Sequence, residues 1–299
     1  MNTDKDDFTL LEISDTGSIG TRLTATFFDR RFEIYGAYYR LWYTLERILD
    51  NNGDVILEVV DPSSESGDQK IVGTRFDITD DYQDPRSGLR LDISGWYNAK
   101  EGIEPEYLLL DFNTTAYIPM GKRSTWVFNY FHSDAKIFEK GETDRAIVAD
   151  EMGLDCETIV DADDKQRCNE LIDTVVDGNT YGTASALGGF SRLRSYSQGR
   201  YSGAHSRFWG TEFRWNLTDE FTPFNFYLIR DIRTAIQASF FYEIGSTTEK
   251  TSDLYNTTRS SYGLGLRMIT ASGAVFRGDF AYGNEGFQPN IFIGYPWEL

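Results

Sequence analysis

Arg194 lies in Leu187-Gly188-Gly189-Phe190-Ser191-Arg192-Leu193-Arg194-Ser195-Tyr196, a segment loosened by two adjacent glycines. A guanidinium presents a rigid fork of donors that seeks a carboxylate, and an unpaired charge away from water is costly. Gly188 and Gly189 let the backbone turn where a side chain would clash. Other reactive groups are sparse. His132 ends one strand pattern and His205 precedes another, with no readable nucleophile beside either, so general-base catalysis has no constellation to use. Asp161-Ala162-Asp163-Asp164 offers carboxylates to Ca²⁺ but lacks the spacing of a dedicated loop, and reads as solvated acidic surface. Cys156 and Cys168 are the only thiols. A disulfide between them fits an oxidising compartment; two unpaired thiols are the alternative, and zinc lacks a nearby histidine. No phosphate-cradling glycine loop and no metal-spaced Cys/His set is present. The chain is therefore expected to be no enzyme, with no metal and no cofactor.

The elements that must position these residues are strands. The 299 residues are 40% hydrophobic, with a mean hydropathy of -0.43, and no apolar run approaches the ~18 residues of a helical span. A transmembrane barrel needs only about 10 residues of alternating character per strand. With 21 Phe, 18 Tyr and 6 Trp, 15% of the chain is aromatic, as barrel girdles require. A soluble β-rich enzyme is a further reading of such composition. The net charge of -18 argues against a nucleic-acid partner, which needs a positive footprint. Much of the excess lies between Glu139 and Asp177. Met1 to Asp7 is acidic, without the apolar core of a signal peptide, so an exported barrel would carry the numbering of a mature form.

Along the chain, Phe8 to Ile13 reads as a short strand and Asp15-Thr16-Gly17-Ser18 as a turn. Arg22, Thr24 and Thr26 then alternate with Leu23, Ala25 and Phe27. From residue 32 to 60 the pattern is mixed: Leu41, Leu45, Ile48 and Leu49 fit a helix, yet a long strand fits equally. Alternation returns at Arg75, Asp77 and Thr79, and after the turn Tyr82 to Gly88 at Arg90, Asp92 and Ser94. A hairpin follows over Tyr107–Pro119 and Ser124–Ile137. Residues 139–203 form a long loop, unusual at about 60 residues and normally functional or disordered. Strands are expected at Arg207–Leu217, Arg233–Gly245, Ser261–Thr270, Ala274–Tyr282 and Gln288–Trp297. Gly263 and Gly265 are read as relieving crowding in a barrel lumen.

The 188–196 segment resembles the lumen loop of the bacterial surface antigen superfamily, the BamA- and TamA-type outer-membrane insertases and translocators. The family pattern is two glycines, a spacer, then a hydrophobic residue, Arg, Gly and an aromatic. Here Gly188 and Gly189 are followed by Leu193-Arg194-Ser195-Tyr196, with Ser195 in the glycine position. The Asp-rich turn with Pro85 and Gly88, the Tyr117-Ile118-Pro119 strand end and the aromatic C-terminus resemble the family too. The resemblance covers residues 70 to 299. It implies that Arg194 folds into the lumen and pairs with Glu243, with Glu212 as a supporting acid. It also implies an all-β transmembrane antiparallel barrel, for which the strand patterns along the chain count about twelve strands, in one domain over 1–299 with the 139–203 loop in its lumen. An even count would put both termini on the periplasmic side. Nothing before residue 8 reads as a POTRA domain, so the likeness is to a reduced member. The implied role is outer-membrane protein assembly, translocation or lipid handling in the bacterial outer membrane. The expected partners are lipid, client barrels and a second copy through the seam. A passive pore or structural barrel is the alternative.

Overall fold

A computed structural model describes residues 9–50, 52–59, 62, 64–218, 224–227, 229–232, 234–270 and 274–297. Met1 to Asp7, Phe8, Arg233 and the last two residues, all used in the sequence reading, lie outside the described residues. The strands are β1 (Leu10–Phe27), β2 (Phe32–Leu49), β3 (Val55–Glu58), β4 (Ser64–Asp77), β5 (Gly88–Asn98), β6 (Glu106–Pro119) and β7 (Ser124–Glu139). They continue as β8 (His205–Asn216), β9 (Phe224–Phe226), β10 (Ile229–Ile232), β11 (Thr234–Thr248), β12 (Arg259–Thr270), β13 (Val275–Gly283) and β14 (Gly286–Ile293). Two helices, α1 (Arg145–Glu151) and α2 (Ala162–Tyr181), lie between β7 and β8.

Among the described residues, one sheet holds twelve strands in the order β1-β2-β4-β5-β6-β7-β8-β11-β12-β13-β14, with β3 added on β2. All its pairs are antiparallel. This is the up-and-down meander of a β-barrel. The period-2 pattern explains why these segments pair as they do: Asp111, Asn113 and Thr115 are buried inside, while Leu110, Trp126, Phe128, Phe240, Leu264, Leu266 and Phe280 are exposed outside. A continuous apolar outer face is unfavourable in water and favourable against lipid. The sheet curls around its contents. The Asn113 side-chain amide on β6 donates to the carbonyl oxygen of Trp297 (2.7 Å), and the Tyr295 hydroxyl reaches Asp84 in the β4–β5 turn.

Several expectations need correction. The stretch Asp15 to Ser18 is no turn: β1 runs through it and takes up the extra residues as irregularities in its pairing with β2, with Asp15 at φ 45°. Residues 32 to 49 are strand rather than helix, because Leu41, Leu45 and Ile48 pair along β1 and β4 or against the cap described below. Among the described residues, the first strand does not begin at the end where the last strand finishes. Leu10 pairs with Leu49 at the end carrying the long connections, whereas β14 finishes at the short-turn end. The path through the sheet has an odd number of strands, with β3 a side branch. The last strand is shorter than expected, since Gly294, at φ 107°, turns the chain out of the sheet. A further hairpin, β9–β10, sits in the β8–β11 connection.

The acidic loop is also more ordered than its composition suggests. Asp161 accepts hydrogen bonds from the backbone N–H groups of Asp163 (3.0 Å) and Asp164 (3.1 Å), capping α2, which accounts for the carboxylates clustered there. Cys168, Leu171 and Ile172 of α2 are buried against Val148 of α1, Leu154, Cys156 and Ile48 of β2. Cys156 and Cys168 form a disulfide, with Cα atoms 5.7 Å apart. The extended top of β2, with β3 beside it, thus carries a helical cap rather than ending in water.

Ile48→Ala should remove the strand-side anchor of this cap, at a cost of about 2–5 kcal/mol for a buried isoleucine. Limited trypsin digestion should then cut faster at Arg145, Lys165 and Arg167 while the strands resist. An unchanged rate would show that the cap does not rest on β2.

Candidate functional site: the lumenal arginine cluster

The segment that follows α2 turns back into the barrel. Leu187 and Tyr201 bridge its two arms, with Leu187 N–H donating to the Tyr201 carbonyl (2.8 Å) and the reverse bond at 2.9 Å. Gly188 and Gly189 have φ of 111° and 108°. A Cβ at Gly188 would meet the Ser197 carbonyl oxygen at 2.4 Å, so the close approach of the two arms requires glycine there. The apolar members Leu187, Leu193, Tyr196 and Tyr201 pack with Tyr117, Val127, Phe131, Phe208 and Trp297. This packing fixes the loop tip against the wall.

Arg194 is completely buried. Its Nε donates to Glu243 Oε1 (2.9 Å), and its backbone N–H to the other oxygen of the same carboxylate (2.9 Å). Its Nη1 donates to Asp279 (2.7 Å) and Glu212 (3.2 Å), and Nη2 to Glu212 (3.2 Å). The guanidinium lies 3.4 Å over the Phe241 ring. Each of its three side-chain nitrogens has a carboxylate partner, as a buried guanidinium requires. The structure thus brings Arg194 together with both acids named from the sequence, Glu243 on β11 and Glu212 on β8, and adds Asp279 from β13.

Glu212 is the hub of the opposite charge. It also accepts from Arg214 Nε (2.7 Å) and Arg267 Nη2 (2.6 Å). Arg277 donates to the carbonyl of Phe190 (2.7 Å), holding the loop's approach to the tip. Three carboxylates and four guanidiniums therefore share one buried cluster. Asp279, Arg267 and Arg277 lie on the inward side of an alternation visible in the sequence, so their orientation is readable there while their partner is not.

Trp297 is the member no sequence signal marks. Its indole Nε1 donates to Glu243 (3.0 Å), and the side chain is wholly buried. The chain beyond β14 reaches this position only through the Gly294 turn.

Ser195, where the resembled pattern has glycine, lies without left-handed backbone. The positive φ falls on Leu193, at 52°. Ser195 N–H donates to Ser261 Oγ (3.1 Å), and its hydroxyl fills the space a Cβ at Gly283 would need. Room for the serine is thus made on the neighbouring strand, where Gly283 pairs with Ser261. Tyr196 donates its hydroxyl to the Ser260 carbonyl (3.0 Å). The last strand joins in, as Asn290 donates to the carbonyl of Arg194 (2.8 Å).

The histidines, expected to stand alone, share a carboxylate at the rim. His205 Nδ1 lies 2.7 Å from Asp134, His132 contacts the same group, and Thr251 Oγ1 is 3.1 Å from His205 Nε2. Hydroxyl, imidazole and carboxylate stand in the order that activates a nucleophile, but Arg207 also holds Asp134 (3.0 Å), making Asp134 a charge hub. Where the loop rejoins β8, burial pushes the Glu249 carboxyl above its usual range, with the charge of Asp177 adding to the effect.

Arg194→Ala would leave three carboxylates buried with one fewer cation, a loss of about 3–5 kcal/mol by analogy with broken buried pairs. The unfolding midpoint in detergent should fall accordingly, and Arg194→Lys should recover only part of it, because an ammonium lacks the planar fork. A midpoint unchanged in Arg194→Ala would mean the cluster is held without the loop.

No family model matches the chain, and no curated protein matches it. Among solved structures, the chain is similar to BamA from Haemophilus ducreyi lacking POTRA domains 1-3, with a TM-score of 0.50 and 13% identity. The match covers 93% of this chain and 52% of that one, so the chain spans about half the length of that BamA. At this identity the likeness is one of fold: an antiparallel barrel of the BamA kind.

Proposed function

We propose that this chain is an outer-membrane barrel of the insertase and translocator type, acting in the assembly or passage of outer-membrane proteins or in lipid handling. The observation that carries the reading is the lumen loop pinned by Arg194 to Glu212, Glu243 and Asp279, within a sheet whose end strands are not paired to each other among the described residues. An unpaired strand edge is a template for another strand, and in lipid it must be matched by something. β1 supplies such an edge over its whole length, and its inner face carries Arg22, Thr24 and Thr26 in the open. Long connections would face the outside and short turns the periplasm.

The filled lumen disfavours the passive pore. The Arg194 cluster and the packed loop occupy the space that a conducting channel needs, so planar-bilayer recordings should give a closed or flickering barrel rather than a steady large conductance. Through the β1 and β14 edges a second copy is the simplest match, and we expect a cross-linked dimer from vesicles. A monomer alone would remove that part of the reading.

The deciding experiment follows the folding rate of a small client barrel into liposomes holding this protein, with empty liposomes and an Arg194→Ala variant that still inserts as controls. Acceleration lost in the variant is expected. No acceleration by the unaltered protein would overturn the assembly role.

A further inference from the structure

One strip of the outer wall changes character along its length. On the paired strands β7 and β8, outward residues face each other in successive rungs: Trp126 and Phe213, Phe128 and Thr211, Tyr130 and Trp209, His132 and Arg207, Asp134 and His205. The strip climbs from apolar through aromatic to charged within five rungs. The Tyr130 and Trp209 rings are 4.4 Å apart, and the Trp209 indole donates to the Tyr255 hydroxyl (3.3 Å). Aromatic residues of this kind sit at the boundary between acyl chains and headgroups, and charge facing lipid is tolerated above that level rather than below it.

Beneath the aromatic rung the wall is hollow. A groove of about 460 Å³ is floored by small residues, Thr114, Ala116 and Thr211, and walled by Phe128, Trp209 and Tyr242. Volumes of this order are those of small-molecule sites. The space exists because small side chains on β6 and β8 flank the large ones on β7 between them. Above it, Asp134 is occupied by Arg207 and both imidazoles, and exposed Lys136 stands one outward step further along β7. Arg207 is itself buried and thereby neutralises Asp134, so the cation that the rim presents to the surroundings is the exposed Lys136.

We infer that this strip is a binding site for a single lipid of the leaflet facing the long loops, its acyl chain in the groove and its anionic phosphate headgroup at the exposed Lys136. The inference rests on the membrane reading proposed above. Charge complementarity selects the occupant: an apolar slot with the unneutralised Lys136 further along the same outward row of β7 suits a chain bearing a phosphate rather than a neutral lipid.

The test uses the full chain reconstituted into vesicles of equal phosphatidylglycerol and phosphatidylcholine, recovered by flotation, and read for retained lipid by native mass spectrometry. Phosphatidylglycerol should be retained over phosphatidylcholine by about fivefold, the factor one well-placed cation contributes at an anionic lipid surface. Ala116→Trp, a lipid-facing change that fills the groove, should abolish retention, and Lys136→Glu should remove the headgroup preference while leaving insertion intact. Equal retention of the two lipids, or unchanged retention in Ala116→Trp, overturns the site while leaving the barrel reading untouched. Failure of the unaltered protein to float with vesicles overturns both.

Discussion

A guanidinium sealed from water has no neutral form to retreat to, so the structure around Arg194 must supply its counter-charges or not form. Three strands do so, each contributing one acid from its inner face. That demand sets the register of the wall. A slip of one residue on β8, β11 or β13 would turn Glu212, Glu243 or Asp279 outward into the apolar face. The second ring of arginines follows from the first: Glu212 can stay charged in the interior because Arg214 and Arg267 neutralise what Arg194 does not. Replacing such a cluster by apolar residues is often neutral or stabilising. Stability alone therefore does not explain it. What it specifies is the position of one loop tip.

The packing around the cluster serves the same end. Leu187, Leu193 and Tyr196 seal the charges from the long-loop side, and Phe208 and Trp297 complete the apolar wall around them. Leu193 accepts a left-handed backbone, which costs about 1–2 kcal/mol for a residue with a side chain, and it is held there by complete burial. The helical cap stands apart from this arrangement. It has its own core around Cys156–Cys168 and Ile48, so the long-loop end can be strengthened or weakened without disturbing the arginine.

Much of the wall was legible because period-2 alternation is a local property: Arg90, Asp92 and Ser94 alternate in the sequence and are buried inside. Arg194, Glu243 and Glu212 were legible as charges that need partners, and the family likeness linked them. The misses share a physical cause. Asp15-Thr16-Gly17-Ser18 has turn chemistry, but the continuing β2 partner keeps it in the ladder. Helix α2 hides behind its carboxylates, although Cys168, Leu171, Ile172 and Val175 recur at helical spacing and Asp161 marks its start. Trp297 depends on a single glycine turning the chain inward, and the cluster of His132, His205 and Asp134 on strand pairing across 71 residues. Those are tertiary facts that no window along the chain contains.

Asn290 ties the last strand to the loop through the backbone of Arg194 itself, and Phe292 stacks on Phe190 two residues on (3.9 Å between ring centroids). The edge at β14 is therefore not an independent part of the wall. Its free energy is linked to that of the plug, and linkage is reciprocal: whatever pairs with β14 alters how firmly the loop is seated, and whatever loosens the loop alters the edge by the same amount. In this barrel the lock and the hinge share an atom.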